Sequence, residues 1–185
     1  MSLKNTTDRY SSLSILMHWL MLALLIAVYA CIELREFYPK GSDLREGLKT
    51  WHFMLGLSVF ALVFVRLAIR LVTPSPRISL RTPAWQRRLA SLMHVALYLF
   101  LIAMPLLGWL VLSAKGRVIP FFGLELPALI GPDKALAGSI EEIHETIGTI
   151  GYYLIGAHAL AALYHHYFMR DDTLLRMLPA RRGLT

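Results

Sequence analysis

Four long runs of apolar residues, separated by shorter polar segments, set the pattern of this chain. They fall near 14–34, 50–72, 89–112 and 143–168. Each is long enough to cross a hydrocarbon core of about 30 Å, which takes roughly 20 helical residues. The expected fold class is an all-α membrane protein: a four-transmembrane-helix bundle forming one domain over residues 1–185. The first run is too long for the apolar part of a signal peptide and has no convincing small-residue cleavage site, so it is read as a retained helix.

The breaks between the runs carry their own signals. Pro74, Pro76 and Pro83 predict an extended connection between the second and third helices. The longest connection, 113–142, holds Pro120, Pro127 and Pro132 with apolar residues between them. It is predicted to lie along the outer membrane surface. Pro105 sits inside the third run and is predicted to kink it, because it removes a backbone hydrogen bond.

Composition narrows the class further. The chain is 56% hydrophobic and only 17% charged, with no internal repeat. Too little is left over for a nucleotide- or flavin-binding domain, so any reductant comes from outside. The net charge of +7 suggests nucleic acid until it is mapped. Six arginines (66, 70, 77, 81, 87 and 88) flank the second connection without an acid among them. Arg170, Arg176, Arg181 and Arg182 follow the last run, and Lys4 and Arg9 precede the first. That puts twelve basic residues on one side, against seven (Arg35, Lys40, Arg45, Lys49, Lys115, Arg117 and Lys134) on the other. Positive residues favour the cytoplasmic side, so both termini are expected there. The partner implied is a lipid bilayer, with no nucleic acid. The single cysteine, Cys31, excludes an intramolecular disulfide, and the absence of C-x-x-C-H excludes covalent haem attachment.

The candidate chemistry lies in seven histidines: His18, His52, His94, His144, His158, His165 and His166. An ionisable residue within a membrane span is costly and points to function, although any one of them alone reads equally well as an interfacial, hydrogen-bonded histidine. As a set they are paired in depth. The helices alternate in direction, so His52 and His144 share an outer level. His18 and His158 share an inner level, with His94 close by. His158 follows His144 by fourteen residues, roughly 21 Å along a helix and about 40° around it. Gly148 and Gly151 lie between them, Ala161 and Ala162 just beyond, and Gly56 one turn after His52. Small residues admit a flat porphyrin edge; they equally suit close helix–helix contact. With an imidazole at each end, haem is the favoured reading. A bis-histidine haem carries electrons rather than oxygen. Zinc wants about four ligands at one level and H-E-x-x-H is missing, so zinc is disfavoured. Depth alone leaves the inner partner of His158 open between His18 and His94.

The segments ILMHWL, WH at 51–52 and EIHETIGTIGYYLIGAHALAALYHHYFMRDDTLLRMLP resemble the small bacterial cytochrome b561 proteins over nearly the whole chain. The resemblance implies a multi-pass protein of the bacterial inner membrane with two b haems. It implies His18 with His158 as iron ligands of the inner haem, and His52 with His144 as those of the outer one. A member of that family is a superoxide oxidase, so the resemblance also implies a superoxide:ubiquinone oxidoreductase with ubiquinone as electron acceptor. His94, His165 and Arg81 would then lie at the quinone site. His165 and His166 also read as a pair reaching the headgroup level. Superoxide is an anion, and Lys115 with Arg117 form the outer basic pair least interrupted by acids, suited to steering it. A rival reading is the cytochrome b electron-conduit subunit of a hydrogenase- or dehydrogenase-type respiratory complex. That reading needs a large protein partner, which the first does not.

Overall fold

The computed structural model describes residues 10–73 and 83–178. Four helices run through it: α1 (Ser12–Leu34), α2 (Asp43–Val72), α3 (Ala84–Ala114) and α4 (Lys134–Tyr164). All four are long and apolar enough to cross a membrane. Their outward faces are apolar, with Ile26, Phe64, Leu99 and Leu160 exposed on α1 to α4 in turn. A soluble monomer does not carry so much continuous apolar surface.

Three helices begin earlier than the apolar pattern predicts. α2 starts at Asp43, where the Ser42 hydroxyl accepts from the Arg45 amide. α4 starts at Lys134, where the Asp133 carboxylate caps the Leu136 amide. Side-chain caps satisfy first-turn amides that otherwise need water, so both helices extend as polar turns beyond the hydrocarbon. α3 begins at Ala84, directly after Pro83, and runs unbroken through Pro105.

The 113–142 segment holds the end of α3, a two-stranded hairpin and the first turns of α4. α3 ends in a Schellman motif: Gly116 takes φ +63°, its amide bonds the Ser113 carbonyl and the Arg117 amide bonds Leu112. The chain then forms a hairpin, β1 (Ile119–Phe121) against β2 (Leu124–Leu126), antiparallel in the register Ile119↔Leu126. Its two turn residues, Phe122 and Gly123, both have positive φ, as a type I′ turn requires. Phe122 meets the Trp51 ring edge-on at 6.2 Å. Ile119 is buried with Leu57 of α2 and Leu112 of α3. The hairpin therefore folds back onto the first half of α2 and the last turns of α3.

The main core joins Met21, Val59, Val63, Phe100 and Leu101, with Ile147, Leu154 and Ile155 of α4 packed against them. Gly151 is buried beside this core, and a Cβ there would overlap Phe100 and the Tyr29 hydroxyl. Gly151→Ala is accordingly expected to destabilise the bundle by about 1–3 kcal/mol, the usual cost of overpacking. A lowered thermal midpoint in detergent checks this; an unchanged midpoint would show that α4 can shift freely.

Candidate functional site

Imidazoles meet across the bundle at two depths. At the level read above as outer, His52 of α2 and His144 of α4 have ring centroids 6.2 Å apart. Fourteen residues along α4, His158 lies 6.3 Å from His18 of α1 and 5.7 Å from His94 of α3. A metal–imidazole bond of about 2.0 Å, plus the distance from nitrogen to ring centre, puts two imidazole centroids on opposite sides of one metal about 6.3 Å apart. The His52–His144 and His18–His158 pairs match that spacing, and His94–His158 falls short of it.

The outer pair opens on a cavity of about 440 Å³, within the size range of cofactor pockets. Gly56, Gly108 and Gly148 line it. A Cβ on Gly56 would meet nothing, and one on Gly108 would stand 3.4 Å from the His144 ring. Of the two glycines read from the spacing on α4, Gly148 lines the cavity and Gly151 serves packing instead. The His52 ring is already oriented. Its Nδ1 lies 3.0 Å from the Val28 carbonyl, which only accepts, so Nδ1 carries the proton and Nε2 keeps a free lone pair. His144 Nδ1 is buried without a hydrogen bond, close to the Met104 carbonyl. Tyr29 donates to the Gly148 carbonyl at 2.7 Å, and Tyr152 donates to Glu33 at 2.7 Å, tying α1 to α4 along one wall. Two imidazoles with centroids 6.2 Å apart, beside an apolar cavity lined by three glycines, fit a flat tetrapyrrole that His52 and His144 would hold.

Charged residues ring the mouth. Lys115 pairs with Glu141 at 2.6 Å, Lys49 with Glu46 at 2.7 Å and Arg35 with Glu36 at 2.9 Å. Arg117 also lines the cavity, and among the described residues its side chain has no ion pair. The turn that ends α3 carries it there.

At the inner level the sequence reading missed Arg66. Arg66 and Arg70 lie on α2, and Arg87 and Arg88 on α3. The Arg66 guanidinium reaches His18 Nδ1 at 3.2 Å and Tyr98 Oη at 3.4 Å. A signal for it was present, since Arg66 follows His52 by the same fourteen residues that separate His144 from His158. Gly108 carried the same signal, since it follows His94 on α3 by fourteen residues.

His165 opens one wide turn of π-helix, His165–Met169, that extends α4. Arg170 follows in the left-handed region, and the Asp171 amide bonds back to the His165 carbonyl. The Asp171 carboxylate lies 2.6 Å from His165 Nδ1. Burial alone would raise that carboxyl, but the hydrogen bonds from His165 and Thr173 outweigh it and hold it below the ordinary carboxylate range. Arg81 lies outside the described residues.

Fold and site together define a membrane-spanning helical bundle that presents opposed imidazoles at two depths. The prokaryotic cytochrome b561 family model matches residues 9–180, and the chain belongs to that family. It is 41% identical to cytochrome b561 homolog 1 of Escherichia coli K12 over 95% of this chain and 99% of that one. It is 38% identical to a probable superoxide oxidase, CybB, of Yersinia pestis, covering 95% and 98% of the two chains. Cytochrome b561 homolog 2 of E. coli K12 is 30% identical over 96% and 95%. The chain is a bacterial membrane protein that binds haem b and transfers electrons across the membrane.

Proposed function

We propose that the protein is an inner-membrane superoxide oxidase that takes electrons from periplasmic superoxide and delivers them to ubiquinone near the cytoplasmic side. The observation that carries the reading is the pair of opposed imidazole sets, 6.2 and 6.3 Å across, about 21 Å apart along α4. In this reading the whole chain is one domain with both termini cytoplasmic. His52 and His144 hold the outer haem and His18 and His158 the inner one. When bound, the haems supply one-electron redox centres without an open iron position.

The remaining residues set access at each end. Arg117 and Lys115 draw the anion to the outer mouth. His94, His165 and Arg81 serve the quinone, with the Asp171 carboxylate holding the His165 ring. The similarity to a probable superoxide oxidase at 38% identity supports the choice of donor. Stopped-flow mixing of the purified protein with superoxide tests it. Haem reduction on mixing, and reoxidation once a ubiquinone analogue is added, are the expected results. Protein that stays oxidised in superoxide refutes the oxidase reading and leaves an electron conduit for a partner complex.

A further inference from the structure

Arg66 is a permanent cation inside the bundle, and among the described residues no carboxylate pairs with it. Its Nη1 is buried and has no hydrogen-bond partner among the described residues. Its other contacts are His18 Nδ1 and Tyr98 Oη, neither of them a carboxylate. Between Glu46 and the end of α2, throughout α3, and on α4 beyond Glu145, the chain has no acidic residue. Those on α1 stand at its outer end or beyond, Glu33 with Tyr152 and Glu36 with Arg35 and Arg45. Asp171 and Asp172, after α4, are bonded to His165 and Arg176. An unpaired guanidinium in a membrane span is costly, and such groups are found paired.

The contact with His18 would be lost if that ring held iron through Nε2 as a neutral imidazole. A guanidinium only donates, so His18 Nδ1 must accept and Nε2 must carry the ring proton. That tautomer is the opposite of the one His52 adopts against the Val28 carbonyl. A ring whose Nε2 is protonated cannot use it as a ligand. Ligation through Nε2 as a neutral imidazole would put the proton on Nδ1, facing the guanidinium, and Arg66 would then turn to an acceptor. Arg70, one helical turn along, and Tyr98 line a small pocket with Arg66, so a second cation and a hydroxyl stand beside it.

We propose that Arg66 is the anchor for a propionate carboxylate of the inner haem, swinging from His18 to that carboxylate when the haem binds. The inference rests on the di-haem reading above. It gives the buried cation its counter-charge, frees the His18 ring for iron, and fixes which edge of the inner porphyrin faces α2. A guanidinium suits a carboxylate because its donors match both oxygens at once.

The test uses the purified holoprotein with Arg66→Leu and Arg66→Lys, and reads the resonance Raman propionate bending bands, the two haem midpoint potentials and haem transfer to apomyoglobin. In Arg66→Leu one propionate band is expected to shift and one potential to fall, since a cation near the redox centre is lost. One haem should also leave roughly tenfold faster, as expected for one lost charge-assisted hydrogen bond. The other haem should be unchanged and reports that the variant has folded. Arg66→Lys should recover part of each effect. Two haems with unchanged propionate bands and potentials in Arg66→Leu overturn the proposal and leave the di-haem reading intact. If the wild-type bands and potentials instead follow added inorganic phosphate or anionic lipid, the anion at Arg66 is not the propionate. A wild-type protein with a single haem defeats the underlying reading before Arg66 is at issue.

Discussion

His144→Ala, and equally His52→Ala, is expected to remove one haem of two and leave the other spectrally intact. The outer ring pair stands about 21 Å along α4 from His158, four turns away, so its loss leaves the inner level's own helices in contact. His52 hydrogen-bonds Val28 and lines a cavity that exists without any bound group, and His144 has Gly108 against its ring. Truncating either should therefore empty the site rather than collapse it. The α-band absorbance of dithionite-reduced protein should fall by about half, because one of two like chromophores with bis-imidazole ligation is lost. Redox titration should then give one transition in place of two. Proportional loss of both haems from well-folded variant protein would show one coupled site, not two.

Neutralising the outer cations, Lys115→Gln with Arg117→Gln, should slow haem reduction by superoxide and flatten its salt dependence. Steering of a small anion is an association-rate effect that salt screens over a Debye length of about 8 Å. A roughly three- to tenfold loss at low ionic strength is expected for two charges at a cavity mouth. The structure divides the effect unequally. Lys115 is held 2.6 Å from Glu141, so its field at a distance is largely cancelled. Arg117 has no such partner among the described residues and lines the cavity itself. Arg117→Gln alone should account for most of the change, and Lys115→Gln for little. Reduction by quinol should not change in either variant. Equal rates for wild type and double variant at low salt would remove these residues from the path of the anion.

The four spans were legible because a membrane imposes a length and an apolar pattern that the chain shows openly. The outer pair, His52 and His144, was legible for a related reason: helix direction and rise convert sequence position into depth. What remained hidden depends on side-chain direction and turn chemistry. Apolar runs mark the hydrocarbon core, not the helix, so the capped polar starts of α2 and α4 at Ser42 and Asp133 lay outside the pattern. The hairpin at Ile119–Leu126 turns on positive φ at Phe122, a residue that does not announce such a turn. Arg66 was absorbed into a count of basic residues although its spacing from His52 placed it on a histidine face. Gly148 and Gly151 differ by three residues and look alike in sequence. Only the packed position of Phe100 shows that one lines the cavity and the other seals the core.

Haem content per chain tests the central claim most directly. Purified wild-type protein, quantified by amino-acid analysis and assayed as the pyridine haemochrome, should give two non-covalent b haems per chain, one for each opposed histidine pair. A value of one in well-folded protein would contradict the two-level account.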